Sequence, residues 1–443
     1  TPRSNTAMQI KSISVENFKA LRHSGRIKLK PLTIIIGNNG SGKSSLLEAV
    51  ETYIDILRNG LDIAMQRWQG FEHVWHKAAE SGIDPRPMLA QRLHPMRIAM
   101  DLQWGSAKAK SKGHVSMAVN AIEDRNFVYI QKESGQAGAS SFERNALGRT
   151  ANQSWGVVSS PDLQPGIEAA LKSVGRGQSL FPYLGVFDGL VSNLRNTLFL
   201  RLDPEGIGQL QQVRRSGERV QLASDGSNVA EYLIDLRERA PAAFGQISHA
   251  LRYVLPYASD VEPKVLEAGI IRRSYVQLLE GKYEIPGWLM STGSLRVLPL
   301  IATLLDPEPP PVVFIEEVEN GLDPRTLGLV VDLMRSAAQS GRSQIIATTH
   351  SPYLLDMLEL DDVLLCERGD KGPTFTWPSS RAEMANWREH FMPGQLYTMN
   401  ALQGKPAPKP KPEAVQQEAE LPPGGWGTEP DGEPEDEAGG GRP

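Results

Sequence analysis

A glycine-rich segment, Gly37–Ser44, constrains the fold more than any other part of the 443-residue chain. It fits the pattern G-x-x-x-x-G-K-[ST] at every position, between the apolar run Leu32–Ile36 and a stretch with helical spacing, Ser44–Leu57. Its glycines allow backbone N–H groups to point at phosphate oxygens, and the following helix adds its positive end. We therefore predict a buried strand, a phosphate-binding loop and a helix. The predicted nucleotide ligands are Asn38, Asn39, Gly40, Ser41, Gly42, Lys43, Ser44 and Ser45.

Two carboxylates follow a second apolar run, Val312–Ile315. An acidic residue at a strand end beside a phosphate loop can hold Mg²⁺ through water, and a second one can polarise the attacking water. We assign Glu316 to the metal and Glu317 to the water. In the loop, Lys43 is expected to reach the β- and γ-phosphates, and the Ser44 hydroxyl to bind Mg²⁺. Taken alone, the motif is equally compatible with an ordinary strand that ends in a solvated acidic turn.

Two further segments carry polar groups, one at the end of a predicted strand and one at the start of a predicted helix. His350 follows the apolar strand Gln344–Ala347, where a histidine can touch the γ-phosphate region and sense its loss. Ser291-Thr292-Gly293 opens a helix whose N–H groups, together with the Ser291 hydroxyl, can bind phosphate. A hydrogen-bonded turn histidine and an ordinary helix cap are the alternatives for these two segments.

The four segments occur in one order: loop, Ser-x-Gly helix start, double-Glu strand and strand-end histidine. That order resembles the ABC-type nucleotide-binding head, in the branch shared by RecF, SMC and OLD-family ATPases. The resemblance implies an ATP-hydrolysing head with ATP and Mg²⁺ as cofactors, which dimerises around two ATP molecules. Ser291 and Gly293 would complete the partner's site in trans. Lys19 would reach the nucleotide, or else remain a solvated lysine. The flanking segments that agree are Ile13–Lys19, Ser224–Asn228 and Glu316–Pro324.

Three features depart from the family pattern. Position 316 is Glu where most ABC ATPases have Asp, which leaves the metal geometry less defined. The helix start reads Ser291-Thr292-Gly293-Ser294, without the common Gln. The usual Gln-loop has no clear counterpart, and Gln103 is a weak candidate for it.

The fold class that these observations predict is α/β: a P-loop NTPase of ABC type, with a mixed sheet flanked by helices and an inserted helical or mixed lobe. Strands that alternate with helices over 285–367 indicate a parallel sheet covered on both faces. The predicted division is an N-terminal half of the head (8–59), an inserted lobe (60–221), a C-terminal half (222–402) and a tail (403–443). The tail is rich in proline, glycine and acidic residues, a composition typical of disorder.

The charge and the cysteine content argue against several kinds of site and several classes of protein. The net charge of −5 resides entirely in the tail, so the body is neutral and has no global footprint for nucleic acid. The single cysteine, Cys366, excludes an internal disulfide and a cysteine-based zinc site. No apolar run reaches the length of a membrane span, and without an export signal we expect a cytoplasmic protein.

Other polar clusters give weaker indications. His73 and His76 suggest a metal pair, although an ordinary helix is favoured because no further ligand lies nearby. Four arginines can line a surface for nucleic acid or a partner, but a solvated face is the simpler interpretation. They are Arg195, Arg201, Arg214 and Arg215.

Three functions are compatible with the sequence. The first is an ATP-driven switch or sensor in a multiprotein assembly, a homo-oligomer with a separate effector, as in prokaryotic anti-phage or toxin–antitoxin systems; the resemblance implies this setting. The second is a RecF-like repair ATPase that clamps DNA. The third is a scaffold that binds ATP with little turnover.

Overall fold

The computed structural model describes residues 8–77, 94–106, 109–122, 127–147, 154–175, 177–213, 219–269, 271–370 and 372–403. The predicted disordered tail lies outside them, apart from Gln403. The strands are β1 Gln9–Phe18, β2 Leu21–Lys28, β3 Leu32–Ile36, β4 Met96–Ser106, β5 Ala109–Ile122, β6 Phe127–Ala137, β7 Ser140–Leu147, β8 Ser154–Ser159, β9 Leu198–Leu200, β10 Gln211–Gln212, β11 Asp260–Ala268, β12 Ile271–Glu280, β13 Tyr283–Pro286, β14 Val312–Ile315, β15 Gln344–Thr349, β16 Val363–Gly369 and β17 Gly372–Thr376. The helices are α1 Lys43–Asn59, α2 Leu61–Gln66, α3 Phe71–Val74, α4 Gln164–Ser173, α5 Asp188–Arg195, α6 Pro204–Gly208, α7 Val229–Arg239, α8 Pro241–Val254, α9 Thr292–Leu305, α10 Pro324–Gln339, α11 Pro352–Asp356, α12 Ala382–Trp387 and α13 Pro393–Thr398.

A mixed sheet with the strand order β17-β16-β3-β15-β14-β9 forms the centre of the fold. The pairs from β16 to β9 are parallel, and β17 adds an antiparallel edge. β3 is buried at every position because its two faces enter two different cores. Ile35 packs in the core that contains Val50 of α1, whereas Ile34 packs in the core that contains Val330 of α10. The predicted α/β class, a mixed sheet flanked by helices, is confirmed.

Parallel pairing brings several loop starts to one edge of this sheet. Ile36, the last residue of β3, pairs with Thr349 of β15 and with Leu365 of β16. Ile315, the last residue of β14, pairs with Ala347 of β15. The loops that follow β3, β14 and β15 therefore begin close together, while β16 continues past this edge to Gly369.

A second sheet, antiparallel throughout, has the order β2-β1-β4-β5-β6-β7-β8. In this order β4–β8 extend the sheet begun by β1 and β2, and β9 belongs to the central sheet, so residues 60–221 contribute strands to both sheets. The predicted division into a head and an inserted lobe stays a prediction. The polar stretch at 133–160 contains β7, β8 and the end of β6. On β7 the alternation is concealed because a charged residue, Arg144, is fully buried next to the buried Phe142, which packs edge-on against Phe181 and Phe187.

A third, smaller sheet has the order β10-β12-β11, with β13 paired to β12. Two helices, α7 and α8, lie between β10 and β11 along the chain. They are separate because Pro241 cannot continue α7 and instead occupies the first turn of α8. Within the described residues, none of the helices is both long and apolar enough to cross a bilayer.

A buried carboxylate joins the end of α9 to α7. Asp306 follows α9, is fully buried, and accepts hydrogen bonds from the Tyr232 hydroxyl and from the Arg239 and Arg219 guanidiniums. Burial alone would raise the pKa of Asp306, but the hydrogen bonds from Arg239 and Tyr232 hold it below its ordinary value. The native state therefore depends on this side chain being ionised.

We predict that Asp306→Ala lowers the free energy of unfolding by about 3 kcal/mol, because it leaves the Arg239 and Arg219 guanidiniums without their shared carboxylate. Asp235→Ala removes only the partly exposed partner of Arg239 and should cost less than about 1 kcal/mol. Since the folded pKa of Asp306 lies below the unfolded one, its contribution is complete above about pH 4 and declines as the pH falls further. Urea unfolding followed by circular dichroism measures both effects, and equal losses in the two variants would contradict the prediction.

Candidate nucleotide-binding site

The loop between β3 and α1 depends on a glycine and leaves the start of α1 without a side-chain cap. Gly42, the residue before α1, has φ 113°, and a Cβ at this position would lie 2.7 Å from Cγ of Pro373, so glycine is required there. No side chain caps α1, and its first turn contains no acidic residue. Its first N–H groups are therefore available to an anion.

The Lys43 side chain lies inside this loop and is buried. Its ammonium donates to the carbonyl oxygens of Gly37, at 2.6 Å, and Asn38, at 3.1 Å. Burial lowers the pKa of Lys43, and Cys366 and the carboxylates that follow β14 oppose this shift. The loop thus holds a cation at its centre, with several carboxylates close enough to influence it.

Glu316 is the first residue after β14, and it lies beside β9. Its N–H donates to the carbonyl of Leu200 at 2.9 Å, and its Oε2 accepts from Nε of Arg201 at 2.5 Å. Arg201 also donates to the buried carboxylate of Glu51 on α1. Burial opposes the charged guanidinium, but Glu51 and Glu316 together raise the pKa of Arg201. Arg201 is therefore part of the site and not of the solvated face that the sequence suggested.

Glu317 has a left-handed backbone, with φ 49°, which is uncommon for a residue other than glycine. Its N–H donates to the Thr348 hydroxyl at 2.9 Å, and its Oε2 accepts from the Asn320 amide at 2.9 Å. These contacts hold a strained turn that leaves the carboxylate half exposed. Nε2 of His350 lies 3.9 Å from its Oε1, so the structure brings the predicted base and the predicted sensor together.

Glu319 is a site residue that the sequence analysis did not single out. Its Oε1 accepts from the backbone N–H of His350 at 2.6 Å. Its Oε2 is buried and has no hydrogen-bond partner among the described residues, and the same holds for the Ser41 hydroxyl in the loop. Because buried polar atoms are normally satisfied, these two orphaned atoms indicate that the site is shaped for a polar group.

The available donor set fits a magnesium–phosphate group. The Ser44 side chain lies at the exposed start of α1, and Glu316 lies at the end of β14. In the described part of the chain, no cluster of three or more His, Cys, Asp or Glu side chains could hold a metal by itself. Mg²⁺ typically takes only one or two carboxylates and completes its shell with phosphates and water. These residues therefore suit Mg²⁺ only when phosphates are present.

Lys19 follows β1 with a left-handed backbone, φ 46°. Its ammonium pairs with Glu48 of α1 at 2.8 Å and lies 3.7 Å from the centroid of the Trp68 ring. The carboxylate of Glu48 and the ring of Trp68 hold the ammonium in place, so Lys19 is not a freely solvated lysine. Its contact with a nucleotide stays a prediction.

Ser291, in the helix start Ser291–Gly293, is the N-cap residue of α9. The Ser291 hydroxyl accepts from the N–H of Ser294 at 3.2 Å, as the alternative interpretation of this segment proposed. Gly293 approaches the loop after Glu317 so closely that a Cβ there would lie 2.5 Å from the carbonyl oxygen of Gly321. Ser291 and Thr292 are exposed, which leaves this helix start accessible to another molecule. Its role in trans stays a prediction.

Other residues contact the phosphate loop without having been predicted. The Cys366 thiol donates to the Ser41 carbonyl at 3.4 Å, Arg368 donates to Gly40, and the Tyr397 hydroxyl donates to Asn38. Cys366 is buried, which raises its pKa to about 11. Cys366 lies within β16 and Arg201 follows a strand of only three residues, so no sequence pattern marked either of them. The sequence gives no signal for Tyr397, because α13 follows the sheet strands and reaches the loop only through folding.

Several weaker candidates lie elsewhere. α3 ends at Val74, before His76, whose Nδ1 lies 2.6 Å from the Lys19 carbonyl oxygen, so His73 and His76 do not form a metal pair. Gln103 pairs with Gln9, the first residue of β1, at the end of that strand opposite to Lys19. Arg195 donates to the Leu57 carbonyl. Arg214 and Arg215 lie outside the described residues.

Comparison with known proteins gives two family matches. Residues 124–356 match the family described as "AAA domain, putative AbiEii toxin, Type IV TA system", and residues 8–66 match the "AAA ATPase domain". Both matches are ATPase-type domains, so they confirm the resemblance to an ATPase head that the sequence indicated. No curated protein matches the sequence.

Similar solved structures are heads of SMC proteins. The SmcHead bound to the C-winged helix domain of ScpA is 14% identical, covers 83% of this chain and 96% of its own, and has a TM-score of 0.49. The Smc head domain bound to the C-terminal domain of ScpA, derived from Pyrococcus furiosus, is 13% identical, covers 86% of this chain and 100% of its own, and has a TM-score of 0.49. The SMC head domain from Thermotoga maritima is 13% identical, covers 83% of this chain and 98% of its own, and has a TM-score of 0.38.

Proposed function

We propose that this chain, which belongs to the AAA-domain family whose model spans residues 124–356, binds and hydrolyses ATP as a nucleotide-driven switch. One observation supports this most strongly. The phosphate loop, the Glu316–Glu317 pair and His350 all lie at one edge of the central sheet, around the buried ammonium of Lys43. An arrangement of this kind presents a cation, N–H donors and a base to a single triphosphate.

Each residue then has a specific role. Lys43 and the first N–H groups of α1 bind the β- and γ-phosphates, and Lys43 exchanges its two loop carbonyls for phosphate oxygens. Ser44 and Glu316 would hold Mg²⁺, which when bound neutralises charge on the β- and γ-phosphates. Glu317 orients the attacking water and accepts its proton. His350, beside Glu317, contacts the γ-phosphate and registers its departure.

We predict that Glu317→Gln lowers the ATP hydrolysis rate at least about a hundredfold while the affinity for ATP is retained, because the amide keeps the shape of the side chain but cannot accept a proton. Lys43→Ala should weaken ATP binding by about tenfold to a hundredfold, because charge-assisted hydrogen bonds to phosphate are lost. Phosphate release and the fluorescence of a labelled ATP analogue measure the two quantities. Glu383→Gln, at an exposed position on α12, is the matched control. Normal turnover by Glu317→Gln would show that the base is another residue.

The proposal includes a homodimer in which each helix start Ser291–Gly293 closes the partner's site. Two features support it. The helix start is exposed, although it packs against the loop that carries Glu317. Its first-turn N–H groups form a further anion site, of the kind that helix N-termini provide.

A mixing experiment tests this arrangement. Ser291→Asp keeps a capping side chain but adds a negative charge that repels phosphate, whereas Ser291→Asn keeps the cap without the charge and is the control. We expect Ser291→Asp and Lys43→Ala to be inactive alone and to recover up to about a quarter of wild-type hydrolysis when mixed. The recovery arises because a mixed dimer contains one site with both native residues. If mixing restores nothing, each site is formed within one chain.

A separate effector protein and a cytoplasmic anti-phage or toxin–antitoxin role complete the proposal. The description of the matched family, which names a type IV toxin–antitoxin system, supports this setting. An ATPase switch needs a second protein whose activity it controls. We expect the product of an adjacent gene to co-purify with the Glu317→Gln variant in the presence of ATP, and less without ATP. If no product of an adjacent gene associates in either state, this part of the proposal is wrong.

A further inference from the structure

Arg201 and Glu316 are neighbours because of strand register. β9 and β14 are parallel, and Leu200 pairs with Ile315. Each residue is the first one after its strand, and both are held by backbone hydrogen bonds, from Arg201 to the Ser224 carbonyl and from Glu316 to the Leu200 carbonyl. The guanidinium and the carboxylate therefore meet at the sheet edge that carries the phosphate loop.

These two side chains end a row of alternating charges. Arg67 pairs with Oε1 of Glu51 at 2.5 Å, Arg201 pairs with Oε2 of Glu51, and Nε of Arg201 pairs with Oε2 of Glu316 at 2.5 Å. Glu51 is almost fully buried, and Arg201 and Glu316 are about three-quarters or more buried. The positive and negative charges in the row balance without any metal.

The same contacts leave one oxygen of Glu316 unused. Oε1 accepts no hydrogen bond from the described residues, while Oε2 is held by Arg201. A glutamate has one more rotatable bond than the aspartate that most ABC ATPases have at this position. The contact with Arg201 fixes that additional bond, so the carboxylate keeps one direction.

A bare dication would meet an unfavourable charge here. It would approach a carboxylate that is already neutralised, and it would be repelled by the Arg201 guanidinium and the Lys43 ammonium in a partly buried site. The phosphates of ATP bring the negative charge that offsets both cations.

We propose that Arg201 is a positioning residue that couples metal binding to nucleotide binding at Glu316. It holds the carboxylate in place and supplies the positive charge that a divalent cation would otherwise supply, so the cation binds tightly only together with phosphates. This inference rests on the proposed function, in which Glu316 faces the metal of an ATP site.

The test measures Mn²⁺ binding, not hydrolysis, by the electron paramagnetic resonance of free Mn²⁺ in the absence of nucleotide. Arg201→Met should bind Mn²⁺ about fivefold or more tightly than wild type, because the repelling charge is gone. Arg201→Lys keeps the charge and should stay within about twofold of wild type. Adding Glu316→Gln to Arg201→Met should abolish the gain. Arg252→Met, at an exposed position on α8, is the matched control.

A second variant acts in the opposite direction and covers the case in which Arg201→Met does not fold. Glu51→Gln removes one of the two carboxylates that offset the positive charge of Arg201. The variant should therefore weaken Mn²⁺ binding by about threefold or more. Damage to the local structure would shift both variants in the same direction. Equal or weaker Mn²⁺ binding by a folded Arg201→Met, or unchanged binding by Glu51→Gln, would overturn the inference.

The proposed function is checked separately in wild type, by the affinity of a fluorescent ATP analogue with Mg²⁺ and with a chelator. If Mg²⁺ does not strengthen binding in wild type, the ATP site itself is wrong. If it does, and Arg201→Met fails to tighten Mn²⁺ binding, the failure concerns only the role of Arg201.

Discussion

The site depends on the position of β15 between β3 and β14. Because β15 is paired in parallel with both neighbours, Thr349 is fixed beside Ile36 while Ala347 is fixed beside Ile315. This register places the phosphate loop, the two glutamates and His350 at one edge. A slip by one residue would turn every side chain of β15 to the opposite face and would break the hydrogen bonds of the Gln344 amide to the backbone of Ile10 and Lys30, so the register is strongly specified.

The sequence predicted the parts of the site that depend on local rules. The phosphate loop lies between a continuous apolar strand and a helix. Both of these elements could be predicted from the spacing of their apolar residues alone. β14 and β15 were recognisable for the same reason, because strands buried on both faces read as short apolar runs. The residues that follow such strands were therefore placed correctly relative to their elements.

Features that depend on contacts between distant segments were not predictable. The antiparallel sheet continues through β7, whose sequence SSFERNAL shows little alternation and whose core contact is made by Phe142. Arg201 follows the three-residue strand β9, which is too short to give a periodic signal. Its partners, Glu51 and Glu316, lie 150 and 115 positions away along the chain, so no local pattern joins them.

One short segment connects the chemistry to the exposed helix start. In Glu316–Gly321, the first two carboxylates serve the site, Glu319 holds the backbone of His350, and the Gly321 carbonyl packs against Gly293. Arg296 of α9 also donates to the Asn320 carbonyl, and Asn320 donates to Glu317. Direct contacts and covalent links therefore join Glu317 to the start of α9 through this segment. The strained, left-handed backbone of Glu317 lies at one end of this connection, so the strain in the segment is located beside the predicted base.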